Sequence, residues 1–585
     1  MRGNIEIVYV LILFAAVFGF GCVGNGSNSA DTASFQSAGD GIQAIDANRQ
    51  TGDSELPSDQ PGRYVLNMYH FNLQYVAGCE VCMDRVIQSF EPLVDFYIAH
   101  PEYGADFEMQ GMMIEYMAKK YPAVLDKFRS IVNSGQVALV SFHYSDQLLL
   151  AYPAHDQQWS IRINDAIFAK YGILRSGTIF AQEAMFSEGI AYMGANNGYD
   201  VAVMTGGNYG WFQDDSGPKP YYICRGLKVL KSSSAVFPES GIEANWEFVG
   251  DGETVTSFDP YFPVLKPYVK CCIVNLDKKF KDYVNQGYKI AKVSELVDAL
   301  DAAGETPDQL KPILDTPWRP GDGSGVFQWM GRYVFPWEED YTLITGNWST
   351  RSCLLAFERK YGELYPEKVE EAWRHMLEAE VSDSTGWRPV PAEIAYTKDH
   401  ADAVLEIIQS VDPSLLSDAW TKPELTAEAS GPVNIQISGT LKKKAIKWYS
   451  FPGKVDVWVA DITLKKFILI RPGLVSIDFP YDSEFIEYSP AMLENEVRTI
   501  SIDEIKHNPI HLGIPNGLIG LGSGVYVIRD NNYGVLASKI DIDGKKISYQ
   551  ALNPTENEIR MRFYIIKGDP QTALTWANMV NNINL

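Results

Sequence analysis

The 585-residue chain is poor in positive charge: 50 lysines and arginines stand against 74 aspartates and glutamates, a net charge of −24 at pH 7. That balance argues against nucleic acid or an anionic membrane surface as a partner, because both are recognised by clustered cations. A solvated acidic surface is the simpler account. Cysteine is scarce too, with seven in all. Cys79 and Cys82 form a C-x-x-C, but no second pair stands at matching spacing. A complete thiolate zinc site is therefore not written in the sequence, and half a zinc site or a local disulfide stays open. The disulfide would fit a protein outside the cytoplasm. Cys271 and Cys272 are adjacent, Cys224 and Cys353 stand alone, and none reads as catalytic. No internal repeat is present.

Hydrophobic residues make up 46% of the chain and charged ones 21%, the profile of a globular protein with a large core. The 13 Trp, 32 Tyr and 27 Phe can fill that core, and they also suit the apolar faces of sugars. At the N-terminus Arg2 precedes an apolar run from Ile5 to Phe20, broken by Glu6, and Gly21-Cys22 follow. This pattern predicts a lipoprotein-type signal over residues 1–22, with Cys22 as the lipidated residue after cleavage. An uncleaved anchor is the alternative. Either way the body is expected outside the cytoplasm, at the cell surface, held to a membrane by its N-terminus. Residues 23–62 are rich in Gly, Ser, Asp and Asn and read as a flexible tether.

From Tyr64 onward, short apolar strands alternate with helical stretches. Strands are expected at Tyr64–Tyr69, Asp106–Gln110, Val137–His143, Thr178–Ala181 and Val201–Met204, with later candidates at Asn245–Val249 and Lys289–Val293. Ser294 is the expected N-cap of a helix ending at Ala303. Such alternation means a parallel sheet, and the repeated polar tips predict a closed (β/α) barrel over residues 63–304. An irregular aromatic stretch and a helical bundle are expected over 305–428. Alternating short runs then predict an antiparallel β-sandwich over 429–585.

Several motifs carry chemistry. His70 tips the first strand, in His70-Phe71-Asn72-Leu73-Gln74. Gly135-Gln136-Val137-Ala138-Leu139-Val140 leads to Ser145-Asp146. Glu183 tips the fourth strand, and Asp251-Gly252-Glu253 follows a later one. Val369, Trp373, Met376, Glu380 and Asp383 are spaced as one helical face, with Thr385-Gly386-Trp387 beyond. In this order the set resembles glycoside hydrolase family 57, over roughly residues 64–425.

The resemblance implies a (β/α)7-type barrel and retaining hydrolysis or transfer at α-glucosidic bonds. It implies Glu183 as nucleophile and Asp251 as general acid/base, with Asp259 in reserve, although Gly-Asp-Gly is also ordinary turn chemistry. A retaining enzyme needs two such carboxyls, one attacking carbon and one donating a proton. His70, Asp146, Glu380, Asp383 and Trp387 are expected to bind substrate, Trp387 by stacking or else as a core residue. The chain departs from the family's pattern where His-Gln-Pro is usual after the first strand, and where a Glu is usual near Ser145-Asp146. Asn72 stands where a zinc-dependent relative would want an Asp, so no catalytic metal and no cofactor are expected. His143, His155 and His375 read as structural. The expected activity is that of a membrane-anchored glycosidase on α-glucan or a related polysaccharide. A non-catalytic carbohydrate-binding protein on the same frame is the alternative.

Overall fold

The computed structural model describes residues 62–208, 219–255, 269–315, 327–330, 340–385, 390–418 and most of 430–583. Cys22, the tether, Asp259 and Trp387 lie outside the described residues. The fold is mixed α/β. Its strands, up to residue 309, are β1 (Arg63–Phe71), β2 (Asp106–Met109), β3 (Ala138–Val140), β4 (Thr178–Ile179), β5 (Val201–Thr205), β6 (Tyr221–Cys224), β7 (Leu227–Ser232), β8 (Ala235–Val236), β9 (Glu243–Asp251), β10 (Lys289–Ala291) and β11 (Asp308–Gln309).

β1 is the hub. It pairs in parallel with β2 and β10 and, along most of its length, with β9. β2 continues to β3, and a parallel bridge from Leu139 to Arg175 leads on towards β4. β4, β5 and β7 are parallel in turn, and β8, following β7 in the chain, pairs with β9. The β6–β7 hairpin was not expected from the sequence. It turns at Arg225-Gly226, both at positive φ.

Alternation along β1 and β2 sorts the side chains. Val65, Tyr69, Phe71, Phe107 and Met109 pack outward with Val86 and Phe90 of the helix Glu80–Ala99. Met68 and His70 share the other face with Asp106 and Glu108. Polar residues thus line one side of strands whose other side is core.

Three expectations change. β4 ends at Ile179, not Ala181, because Gln182–Ala184 form a tight 3-10 turn. Ser294 lies inside the first turn of the helix Val293–Ala302 rather than capping it. Glu295 accepts the N–H of Lys292 at 2.9 Å, and Asp106 accepts that of Val293 at 2.8 Å, so a distant strand supplies what a local cap would have. The helix Pro366–Ala379 stops before Glu380 and Asp383, so these two do not continue the buried face of Val369, Trp373 and Met376.

Three helices, Asp340–Tyr361, Pro366–Ala379 and Pro391–Val411, pack together beyond the strands. Antiparallel sheets of five and seven strands follow, and the helix Pro570–Val580 comes last. One apolar core runs from Phe142 and Leu149 through Trp348 to Ile477 and Phe563, so the sheets are packed on the rest rather than hung from it. Within it Arg351 is fully buried. Its Nε donates to both oxygens of Asp156, at 2.8 and 2.6 Å, and its other nitrogens donate to the carbonyls of Asn582 and Ile583.

Replacing Arg351 by Met leaves the buried Asp156 without its cation. Loss of one partner of a buried pair costs about 3–5 kcal/mol. Urea denaturation should show a loss of that size, and a loss under about 1 kcal/mol would contradict the clamp.

Candidate functional site

The polar tips of the strands converge. His70 Nδ1 is hydrogen-bonded to Glu108 Oε2, and the two residues are directly opposite in the β1–β2 ladder. Asp251 is opposite His70 on β9. Gly252 is required beside it, because a Cβ there would lie 2.3 Å from the Phe71 ring. Burial works against charge on the His70 ring. The Glu108 carboxylate overrides it, helped by Asp146 and Asp251, and holds the imidazolium well above its ordinary range.

Asp146 is fully buried. Gln110 Nε2 donates to its Oδ1 at 2.8 Å, and its own N–H donates to Gln74 Oε1 at 2.6 Å. Burial pushes its carboxyl well up; His70 opposes this, and Asp383, Glu108 and Glu183 add to it. Asn72 is shared between backbone and site. Its Oδ1 accepts the N–H groups of Gln74 and Tyr75, at 2.7 and 2.9 Å, and its Nδ2 donates to Asp383 Oδ2 at 2.9 Å. An Asp at this position could make the first two bonds but not the third.

Glu183 sits on a strained turn. It has φ 55° and ψ 25°, and Ala184 has φ 45°. Two successive left-handed residues other than glycine cost on the order of 1–3 kcal/mol each and persist only where the surroundings hold them. Gln182 N–H donates to His143 Nε2 at 3.1 Å on one side, and Asn208 Nδ2 donates to the Ala184 carbonyl at 2.6 Å on the other. Ser382 Oγ donates to Glu183 Oε1 at 3.3 Å, and its N–H donates to the Asp146 carbonyl at 2.8 Å. Ser187 Oγ accepts the N–H of Ile190 and so caps the helix Glu188–Asn196.

The structure therefore gathers His70, Asp146, Glu183, Asp251 and Asp383. Glu380 is placed otherwise: its fully buried carboxyl accepts from Gln147 Nε2 at 2.9 Å and is held well up by burial and by Asp156. Trp387 is outside the described residues. Sequence reasoning missed Glu108, His143 in this setting, and Ser382. For Glu108 a signal existed: Asp106, Glu108 and Gln110 alternate through an apolar strand and so share a face.

Three acids around the site hold protons above their ordinary range. Burial pushes Asp383 up to about 6, against Asn72 and His70. Burial, then the charge of Asp251, pushes Glu253 up to about 8. Asp251 is raised by burial against His70. Cys79 and Cys82 form a disulfide just beyond the Gln74–Val76 turn. Among the described residues no three His, Cys, Asp or Glu are grouped to hold a metal ion.

Residues 63–261 match the profile of Glycosyl hydrolase family 57. Alpha-amylase 1 of Dictyoglomus thermophilum is 24% identical over 198 residues, covering 32% of this chain and 28% of that relative, so the chain spans little more than a quarter of the relative's length. An alpha-mannosidase from Enterococcus faecalis V583 is similar in fold, with a TM-score of 0.54 at 9% identity over 90% of this chain and 89% of that one. The 4-alpha-glucanotransferase of Thermococcus litoralis has a TM-score of 0.44 at 12% identity, covering 87% of this chain and 100% of that one. The chain thus resembles family 57 where the site lies.

Raised acids set the sign of a pH effect. Each contributes stability in full below its ordinary pKa and loses it as pH rises through the folded value, about 6 for Asp383 and about 8 for Glu253. The melting temperature should fall between about pH 5 and pH 8, and Asp383→Asn with Glu253→Gln should flatten that fall. A wild-type melting temperature that rises over the same range would contradict the assignment.

Proposed function

We propose that the chain is an extracytoplasmic retaining glycosidase acting on α-glucan or a related polysaccharide, with Glu183 as nucleophile and Asp251 as general acid/base. The observation that carries this reading is the convergence of His70, Glu183 and Asp251 at the same ends of parallel strands, where catalytic groups of barrel enzymes stand, with Asp146 from the loop after β3 and Asp383 from beyond the helix Pro366–Ala379 brought to them. Two sheets, β3-β2-β1-β9-β8 and β11-β6-β7-β5-β4, joined by the Leu139–Arg175 bridge and by the short connection from β7 to β8, support a (β/α)7-type barrel. The family 57 match and the amylase relative support α-glucan as the substrate class.

In this mechanism Glu183, oriented by Ser382, attacks the anomeric carbon, while Asp251 protonates the departing glycosidic oxygen. A raised carboxyl suits the proton donor, because it must arrive at the reaction still carrying its proton. Asp251 then takes a proton from water or from an acceptor sugar, which attacks the glycosyl–Glu183 ester; hydrolysis and transfer differ only in that acceptor. His70 and Asp383 bind sugar hydroxyls around the reacting carbon, and the fully buried Asp146, expected from the sequence to bind substrate, instead backs the His70 charge from behind. The Cys79–Cys82 disulfide supports an oxidising compartment, in keeping with lipidation at Cys22.

Purified protein is to be incubated with maltooligosaccharides and soluble starch. Glu183→Gln should lower kcat by at least about 10³-fold while binding persists, and proton NMR should show the α-anomer released first. Undiminished hydrolysis by Glu183→Gln would remove it as nucleophile. Binding without turnover by the wild type would favour the non-catalytic alternative. Separately, Cys22→Ser should move the protein from the membrane fraction to the soluble one; continued membrane association would contradict the lipid anchor.

A further inference from the structure

We infer that His143 is a positioning residue: its neutral Nε2 accepts the N–H of Gln182 and thereby holds the strained turn that presents Glu183. This rests on the proposed role of Glu183 as nucleophile.

Gln182 to Ala184 leave β4 in a conformation that the chain would not keep unaided. Glu183 and Ala184 are both left-handed, and neither is a glycine. Something outside the turn must hold it. Two donor–acceptor bonds flank it, from Gln182 N–H to His143 and from Asn208 to the Ala184 carbonyl. The first stands one residue before the carboxylate. His143 is fully buried and Gln182 nearly so, so no solvent is at hand to replace that bond.

The bond also fixes the ring's chemistry. An imidazole nitrogen that accepts an N–H carries no proton, so the proton of His143 is on Nδ1. The two acids facing the ring would favour its charged form, and burial and the His70 charge work against them. Glu108 Oε1, from β2, lies 3.7 Å from Nε2, and Asp146 Oδ1 lies 3.9 Å from Nδ1. The His70 imidazolium, from β1, adds a repulsive positive charge. Burial, with that charge, pulls His143 down to about 4 against the attraction of Glu108. Protonation at Nε2 would turn the acceptor into a donor facing a donor and release the turn. His70 and His143 are thus a matched pair with opposite charge states: the first is held charged by Glu108, the second is kept neutral beside it.

The test compares His143→Phe, which fills the space without an acceptor, with His143→Gln, whose amide oxygen can reach the place of Nε2. Both are measured beside wild type on maltooligosaccharides, with melting temperatures to establish folding. His143→Phe should lose about 100-fold in kcat, the effect of a misplaced reacting group, with KM changed by less than about threefold. His143→Gln should recover at least about tenfold of that loss. Folded His143→Phe with wild-type kcat overturns the inference, and so do folded Phe and Gln variants that are equally impaired. Should only His143→Gln fold, a kcat within about tenfold of wild type supports the inference and a loss beyond about 100-fold overturns it. Failure of both to fold reduces His143 to a stability role and overturns it too. If the wild type hydrolyses no α-glucan, the functional reading fails on its own. Crystal structures then decide this point: Glu183 should leave φ near 55° in His143→Phe and keep it in His143→Gln, and an unmoved turn in His143→Phe overturns the inference.

Discussion

The buried pair of Arg351 and Asp156 is the constraint on which the remaining parts depend. Arg351 belongs to a helix beyond the strands, Asp156 to the helix that follows β3, and the carbonyls of Asn582 and Ile583 to the segment after the sheets. A guanidinium in an apolar core is tolerated only when it is paired and hydrogen-bonded, and these three partners engage all three of its nitrogens. From Asp156 the coupling continues. Burial and then Asp156 hold the Glu380 carboxyl up, Glu380 accepts from Gln147, and Gln147 is bridged to Val381. The next residue, Ser382, reaches both the Asp146 carbonyl and the Glu183 carboxylate. Glu380 is therefore part of the support beneath the site, on a path of buried contacts from the clamp to Glu183.

How legible the site was from sequence depended on whether a residue's partner was local. His70 and Glu183 could be read because each stands where a strand ends, and strand ends are visible as the loss of an apolar run; Asp251 was reached through the Asp-Gly-Glu likeness to family 57. Glu108 was written in the alternation of Asp106, Glu108 and Gln110, but three polar residues in so short a strand also resemble a solvated edge. His143 was beyond reach, because its importance rests on a backbone N–H of a residue that folding brings from the next strand. The placing of Glu380 and Asp383 on one helical face failed for a related reason. Helical spacing persists on paper past Ala379, while the chain leaves the helix to form the β-bridge at Val381.

The general architecture was more legible than its details. Parallel strands with intervening helices, then helices, then antiparallel strands follow from period and turn chemistry, which are local. The β6–β7 hairpin was not, since Arg225-Gly226 offers a weaker turn signal than Asn-Gly or Asp-Gly. The cap of the helix Val293–Ala302 was misplaced because Asp106, from far away in the chain, accepts the N–H of Val293 and lets the helix begin one residue before Ser294.

Gly189 gives the antiparallel sheets a different standing from that of an appended module. A methyl group at this position would lie 1.9 Å from the carbonyl oxygen of Ala491, and the neighbouring Ser187 hydroxyl donates to that same oxygen. Glu188 between them accepts from Arg225 and Arg498. The turn that carries Glu183 thus opens into a helix whose first residues are moulded directly against the sheets. Cutting the chain near residue 430 would not yield a smaller working unit but one with an open flank directly behind Glu183. Variation in the 491 loop is accordingly a route by which changes outside the strand-and-helix region can be felt at Glu183. Recombining this region with sheets from another protein would require that loop to be carried along with it.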